Sequence, residues 1–192
     1  GYITEQYGAY ATHRILDEKR AIELPESISD ELIATNFSRA LTVQMLGNQV
    51  TQLRPSHTIY VTAAAGGVGR LLCQWANSVG ACVVGGVSSE EKAGLARSYG
   101  CHHSLVYTQS DFIQQVNLIT NGAGFDIVFD SVGADTFNVS LEVLAKCGHL
   151  VNFGQSSGVV DPLKMQELAK KSLTVTRPIL FHYIDNQKNF ET

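Results

Sequence analysis

From Thr58 to Thr176 the chain alternates short apolar runs with stretches whose apolar positions recur every three to four residues. The first run, Ile59–Thr62, reads as a strand, and Gly67–Val79 as a helix that gathers Leu71, Leu72, Trp75, Ala76 and Val79 on one face. Gly80 closes that helix and Cys82–Val87 is the second strand. Ser89 then stands at an N-cap with Glu90 and Glu91 in the first turn, opening a helix that reaches about Tyr99 and stops at Gly100. His103–Tyr107 is a third strand. Asp111 caps a helix to about Thr120, and Asn121–Gly124 is a loop. Asp126–Asp130 is the fourth strand, Ala134–Ala145 a helix, Lys146–Gly148 a turn and Leu150–Phe153 the fifth strand. Pro162–Lys170 is a further helix and Leu173–Thr176 a sixth strand. Strands alternating with helices in this way form right-handed βαβ units and one parallel sheet. The expected fold class is therefore α/β, a doubly wound six-stranded parallel sheet of the Rossmann type.

The first 57 residues lack this rhythm. Tyr7–His13 resembles the exit strand of another domain, Leu24–Ser29 is a linker, and helices are expected around Asp30–Ser38 and Ala40–Asn48. At the other end, Tyr183–Thr192 begins a polar helix with nothing after it. The chain thus reads as a piece of a longer protein. Residues 1–25 are a remnant of a second domain with its linker, 26–56 are linking helices, 57–183 are the nucleotide-binding domain, and 184–192 start a truncated helix.

Composition sharpens the picture in two respects. Charged residues make up 17%, against about 25% in an average globular protein, and a sheet buried on both faces accounts for the deficit. The net charge of −4, with no Lys/Arg-rich run, gives nucleic acid no purchase. No apolar stretch is long enough to span a membrane. The opening Gly1–Glu5 has neither the basic start nor the apolar core of a secretory signal, so a cytoplasmic location is expected. Cys73, Cys82, Cys101 and Cys147 lack the spacing of a zinc ribbon and read as free thiols, and no metal site is expected.

The candidate chemistry centres on Ala63–Gly69, a small-residue turn between the first strand and the first helix. It reads A-x-G-x-x-G from Ala64 through Gly66 to Gly69, with alanine where the dinucleotide fingerprint has its first glycine. A strand, a tight turn and a helix N-terminus in that order receive a pyrophosphate, on the unpaired N–H groups of the first helical turn. Ala65, Gly66, Gly67, Val68 and Gly69 are the expected contacts. An NAD site wants an acid at the end of the second strand, but the chain there reads Val87-Ser88-Ser89. Ser88 leaves room for a 2′-phosphate, and Lys92, one helical turn on, offsets its charge. Glu90 and Glu91 point the other way, since either can bond a ribose hydroxyl; they also suit a helix N-terminus without any ligand.

Doubly wound sheets bind ligands at the carboxyl ends of their strands. By that rule Ser131 and Val132 after the fourth strand, with Phe153, Gly154, Ser156 and Ser157 after the fifth, line the nicotinamide side. Asp130 reads as a strand-end carboxylate that satisfies the next turn. Gly154–Gly158 also matches the G-x-S-x-G nucleophile elbow, but Val159-Val160-Asp161-Pro162 stands where a helix must follow the serine, which argues against a hydrolase. Cys101-His102-His103 alternate across a strand and do not converge on a metal. Arg177 either reaches the cofactor or substrate or pairs at the sheet edge. No residue stands out as a catalytic acid.

Five segments in order and spacing carry a family likeness: Gly8–Ala11, Ala40–Thr42, Ala63–Gly69, Phe125–Gly133 and Asn152–Gly158. Together they resemble the NADPH:quinone oxidoreductases, the zeta-crystallin-like, zinc-free branch of the medium-chain dehydrogenase/reductase superfamily. The resemblance implies an N-terminal GroES-like catalytic domain, largely absent from this chain. It implies NADPH held at its 2′-phosphate by Lys92 and Tyr107 with Ser88 beside them, and a homodimer formed through the edge strand at 173–181. It also implies a nicotinamide contact at Thr42, whose hydroxyl alternatively bonds the carbonyl one helical turn back. The acceptor it implies is a quinone or another electron-poor small molecule. Two alternatives remain: reduction of α,β-unsaturated carbonyls with the same cofactor, and a non-catalytic NADPH-binding module with a structural or RNA-associated role. A fragment of this kind is expected to bind NADPH and to turn over quinone poorly.

Overall fold

Six strands pair in one parallel sheet in the order β3-β2-β1-β4-β5-β6. They are β1 (Thr58–Val61), β2 (Cys82–Val87), β3 (His103–Val106), β4 (Phe125–Asp130), β5 (Leu144–Asn152) and β6 (Thr174–Thr176). The computed structural model describes residues 10–15, 18 and 23–184. The order reverses between β1 and β4, so the crevice at their carboxyl ends is the switch point at which such sheets hold ligands.

Alternation along each strand divides the core into two layers. Ile59, Val61, Val83, Phe129 and Val151 face one side, under α1 (Asp30–Gln44), α2 (Gly67–Val79) and α3 (Glu90–Ser98). Tyr60, Val84, Val128 and Leu150 face the other, under α4 (Phe112–Thr120) and α5 (Phe137–Glu142). These strand residues are 0–1% exposed, and each large apolar side chain buried this completely contributes about 1.5–3 kcal/mol. Tyr60 stacks on Phe125 with ring centroids 5.3 Å apart, filling the second layer beneath β1 and β4.

Several boundaries differ from the sequence reading. The two helices expected at Asp30–Ser38 and Ala40–Asn48 are one continuous α1, capped by the Ser29 hydroxyl, which accepts from the Leu32 N–H at 3.3 Å. Ser38-Arg39-Ala40 contains no glycine or proline to break it. Beyond Gln44 the helix widens into a π-turn, Met45–Val50. The Trp75 ring lies across Gly47 there, where a Cβ would come within 1.7 Å of it. The helix expected at Ala134–Ala145 shortens to α5 because Gly133, at φ +93°, turns the chain and its carbonyl accepts from both Thr136 and Phe137 N–H. β5 begins six residues earlier than the expected Leu150. The Lys146–Gly148 turn lies inside it as a bulge, with Cys147 at φ +62° and pairing that jumps from Phe125↔Leu144 to Ile127↔His149. The helix expected over Pro162–Lys170 is the single turn α6 (Met165–Ala169), and α7 (Leu180–Tyr183) follows β6. Residues 10–15 are irregular; the rest of the expected exit strand, 7–9, and the truncated helix over 185–192 lie outside the described residues.

Candidate functional site

The glycine-rich turn is held by backbone geometry. The chain leaves β1 at Thr62, Ala63 adopts φ +49°, and the Gly66 N–H returns to the Ala63 carbonyl at 2.8 Å. The buried Ala64 donates its N–H to the Gly86 carbonyl at 3.1 Å, which ties the turn to β2. The first bond of α2 is Arg70 N–H to the Gly66 carbonyl at 2.9 Å. Among the described residues the N–H groups of Gly67, Val68 and Gly69 have no backbone acceptor and stand at the positive end of a 13-residue helix with no acid in its first turn. Gly69 lets α2 sit this close, since a Cβ there would be 2.3 Å from the Ala63 carbonyl oxygen. Such an arrangement of N–H groups, at the sheet's switch point, has the chemistry to receive an anion.

Beside it opens a cleft of about 430 Å³. Ala63, Ala65 and Gly66 form its floor, Val87, Ser88, Lys92 and Leu95 one wall, Tyr107 its end, and Val132, Asp135, Ser156 and Ser157 the opposite wall. Ser88 and Lys92 are in contact, the ammonium donating to the serine hydroxyl at 3.1 Å. Ser89 is used otherwise, capping α3 by accepting from the Lys92 N–H at 3.4 Å. Glu90, the rival for a ribose, is bonded to Gln109, which donates to it at 3.0 Å, and neither Glu90 nor Glu91 lines the cleft.

The opposite wall is organised by Asp130, which is fully buried at the end of β4. Its Oδ1 accepts from Thr136 Oγ1 at 2.8 Å, Val132 N–H at 2.9 Å, and Thr62 Oγ1 and Gly133 N–H at 3.2 Å; Ser140 Oγ reaches Oδ2 at 3.5 Å. The carboxylate therefore satisfies the turn that follows it, as its place in the sequence implied. Ser157 fastens the β5 loop to this turn, donating to the Val132 carbonyl at 2.8 Å and accepting from Asp135 N–H at 3.0 Å. Behind the wall, burial pushes the Tyr60 phenol far above its ordinary pKa, helped by the charge on Asp130 and then by Tyr107. It stays neutral, with its hydroxyl against Gly86, where a Cβ would be 2.1 Å away.

Of the residues expected at the site, Ala65, Gly66, Ser88, Lys92, Tyr107, Val132, Ser156 and Ser157 meet in this one cleft. Gly67, Val68 and Gly69 present their N–H groups beside it, while Thr42, Ser131, Phe153 and Gly154 stand outside its lining. The Thr42 hydroxyl donates to the Ser38 carbonyl at 2.9 Å. Ser156 lies in a loop with no helix before Met165, so no nucleophile elbow is built. Sequence reasoning missed Leu95 and Asp135. Leu95 follows Lys92 by one helical turn on the same face, a signal that was available; Asp135 is brought in by the Gly133 turn, which local pattern does not show.

The family model described as zinc-binding dehydrogenase matches residues 67–191. The chain belongs to the zinc-binding dehydrogenase family. Within it, the chain is 40% identical over 191 residues to a quinone oxidoreductase of Pseudomonas aeruginosa, covering 99% of this chain and 59% of that protein. It is 38% identical over 188 residues to a 2-haloacrylate reductase of a Burkholderia species, covering 96% of this chain and 56% of the relative. The solved quinone oxidoreductase of Escherichia coli, complexed with NADPH, superposes with a TM-score of 0.86 at 38% identity, covering 90% of this chain and 53% of that one. The chain thus spans little more than half the length of the relatives it matches. The family's name implies zinc, yet among the described residues no three His, Cys, Asp or Glu side chains converge on a metal position. The described residues thus offer no donor set that fits zinc.

Proposed function

We propose that this chain is the NADPH-holding part of an oxidoreductase that reduces quinones. The observation that carries the reading is the meeting of Ser88, Lys92 and Tyr107 in one cleft beside the open first turn of α2. A 2′-phosphate placed there meets an ammonium, a serine hydroxyl and a phenol, whereas on the β2 and α3 side of the cleft, where a bare ribose 2′-hydroxyl would seek an acid, none lines it. The names of the relatives, among them a quinone oxidoreductase complexed with NADPH, support the same cofactor and acceptor.

When bound, NADPH supplies a hydride to the acceptor. The protein's part is to hold and orient the cofactor. Gly67, Val68 and Gly69 N–H groups would receive the pyrophosphate, and Ser88, Lys92 and Tyr107 would hold the 2′-phosphate. The Asp130-braced turn and the Ser157-fastened loop form a wall that would border the nicotinamide half, with Ser131, Phe153 and Gly154 beyond the lining of the cleft. A quinone takes its protons from water, so the acceptor chemistry asks for no acid from these residues. A second reading, reduction of an activated carbon–carbon double bond, is favoured by the 2-haloacrylate reductase among the relatives. Hydride addition to such a substrate creates an enolate that needs stabilisation and a proton.

In this reading residues 1–25 belong to a GroES-like catalytic domain, 26–56 link it to the nucleotide domain at 57–183, and 184–192 begin the next helix. Residues 173–181 at the open edge beyond β5 join two copies, with Ile179 and Phe181, each 46% exposed, at the seam. The cytoplasm suits the four free cysteines. The test is a calorimetric titration of this chain with NADPH and NADH at one salt concentration. NADPH is expected to bind at least about tenfold tighter, about 1.4 kcal/mol; equal or inverted affinities overturn the assignment of Ser88, Lys92 and Tyr107. Quinone turnover by these 192 residues is expected to be poor, and full activity would refute their being only the cofactor-holding part.

A further inference from the structure

One cation near the glycine turn has no role in anything described so far. Arg39 lies in the middle of α1, and its guanidinium packs directly on Gly67, the first residue of α2. A Cβ on Gly67 would be 2.6 Å from Arg39 Nε and 2.9 Å from its Cζ, so the missing side chain is what admits the guanidinium. Among the described residues this group has no hydrogen-bond or ion-pair partner, although it is partly withdrawn from solvent. The other cations of the region are engaged: Arg70 donates to Asn36 Oδ1 at 3.1 Å, and Lys92 to Ser88 at the far end of the cleft. Ordering an unpaired guanidinium against backbone costs side-chain entropy and hydration, and that cost is offset only when an anion arrives.

We propose that Arg39 is a phosphate-binding residue whose guanidinium pairs with the pyrophosphate received by the first turn of α2, an inference that rests on the cleft being a dinucleotide site. The planar fork matches phosphate oxygens better than an ammonium does, and it adds a full positive charge to the partial charge of the helix end. The pyrophosphate is common to NADPH and NADH, so Arg39 serves affinity for both. It has no part in the choice between them, which falls to Lys92. Arg39 also couples the cofactor to α1, the helix that carries Thr42 one turn further on.

The test is calorimetric titration of the full chain and of R39Q and R39K with NADPH, NADH and 2′-AMP, which carries the 2′-phosphate but no pyrophosphate, at low and moderate salt. R39Q is expected to weaken NADPH and NADH alike by about tenfold. It leaves 2′-AMP unchanged and reduces the salt dependence of dinucleotide binding, and R39K restores most of the loss. A second variant, G67A, keeps the charge but fills its seat, and is expected to show the R39Q pattern in weaker form. Wild-type affinity of R39Q for both dinucleotides overturns the proposal. So does a loss confined to NADPH, or one that extends equally to 2′-AMP, since a purely structural role would affect every ligand. If the unsubstituted chain binds neither dinucleotide, the reading of the cleft itself fails and the assignment of Arg39 falls with it.

Discussion

The two ends of the cleft are built on different principles. At the end proposed for the adenosine, Ser88, Lys92 and Tyr107 come from three successive elements, the ends of β2 and β3 and the first turn of α3, and they present side chains to the cleft. At the end proposed for the nicotinamide the shape is set by a braced main chain: Asp130 gathers N–H and hydroxyl groups of the β4 turn, and Ser157 bonds the β5 loop to it. Side chains that face a ligand can be exchanged with little effect on the fold, whereas a buried carboxylate that satisfies a turn cannot. Substitutions at the first end are therefore expected to change cofactor preference and those at the second to change stability.

The largest effect is expected for D130A. It removes the acceptor that the Thr62 and Thr136 hydroxyls share and leaves the Val132 and Gly133 N–H groups unpaired in a buried site, at a cost of about 3–5 kcal/mol in urea unfolding, with both dinucleotides weakened together. If D130A unfolds like the parent chain while losing ligand, the carboxylate faces the cofactor and the contrast between the ends collapses. Next is G69A, where the added Cβ meets a backbone oxygen at 2.3 Å and must push α2 off its turn. A loss of about 2–3 kcal/mol is expected, with both dinucleotides bound poorly; unchanged thermal unfolding would show that the turn can yield. K92A should leave unfolding untouched and weaken NADPH about tenfold with NADH unchanged, by competitive titration. The smallest effect belongs to E90Q. Its carboxylate is already bonded to Gln109, so affinities for both cofactors should move less than about twofold. A collapse of NADH binding in E90Q would place Glu90 on the ribose instead.

The same contrast governs how much the sequence revealed. Parallel strands buried on both faces appear as apolar runs, and a tight turn into a helix needs small residues at fixed offsets; β1, β2, α2 and the Ala63–Gly69 turn were legible for that reason. Ser88 was legible as the residue just past the second strand, and Lys92 as the cation in the first turn of the helix that follows. The second half of the sheet was read less well. α5 is cut short by the turn at Gly133, whose carbonyl takes the Thr136 and Phe137 N–H groups, and the bulge in β5 follows from its register against β4, neither of which local periodicity encodes. Arg39 was invisible for the same reason. The sequence around it reads as a junction between two helices, and only the packing of α1 on α2 brings it to Gly67.

The central seam of the sheet also has a consequence for how the chain folds. β1 reaches β2 through a single short helix, but its other edge waits for β4, and the Thr62–Asp130 bond that finishes the seam joins residues 68 apart. Closing so long a loop is slow, so the β1-β2-β3 half can assemble while the far edge of β1, an apolar strand with unpaired amides, is still open. Until β4 docks, that edge is the place where two growing copies are most apt to pair wrongly. The crevice proposed to hold the cofactor thus lies on the last central seam to close.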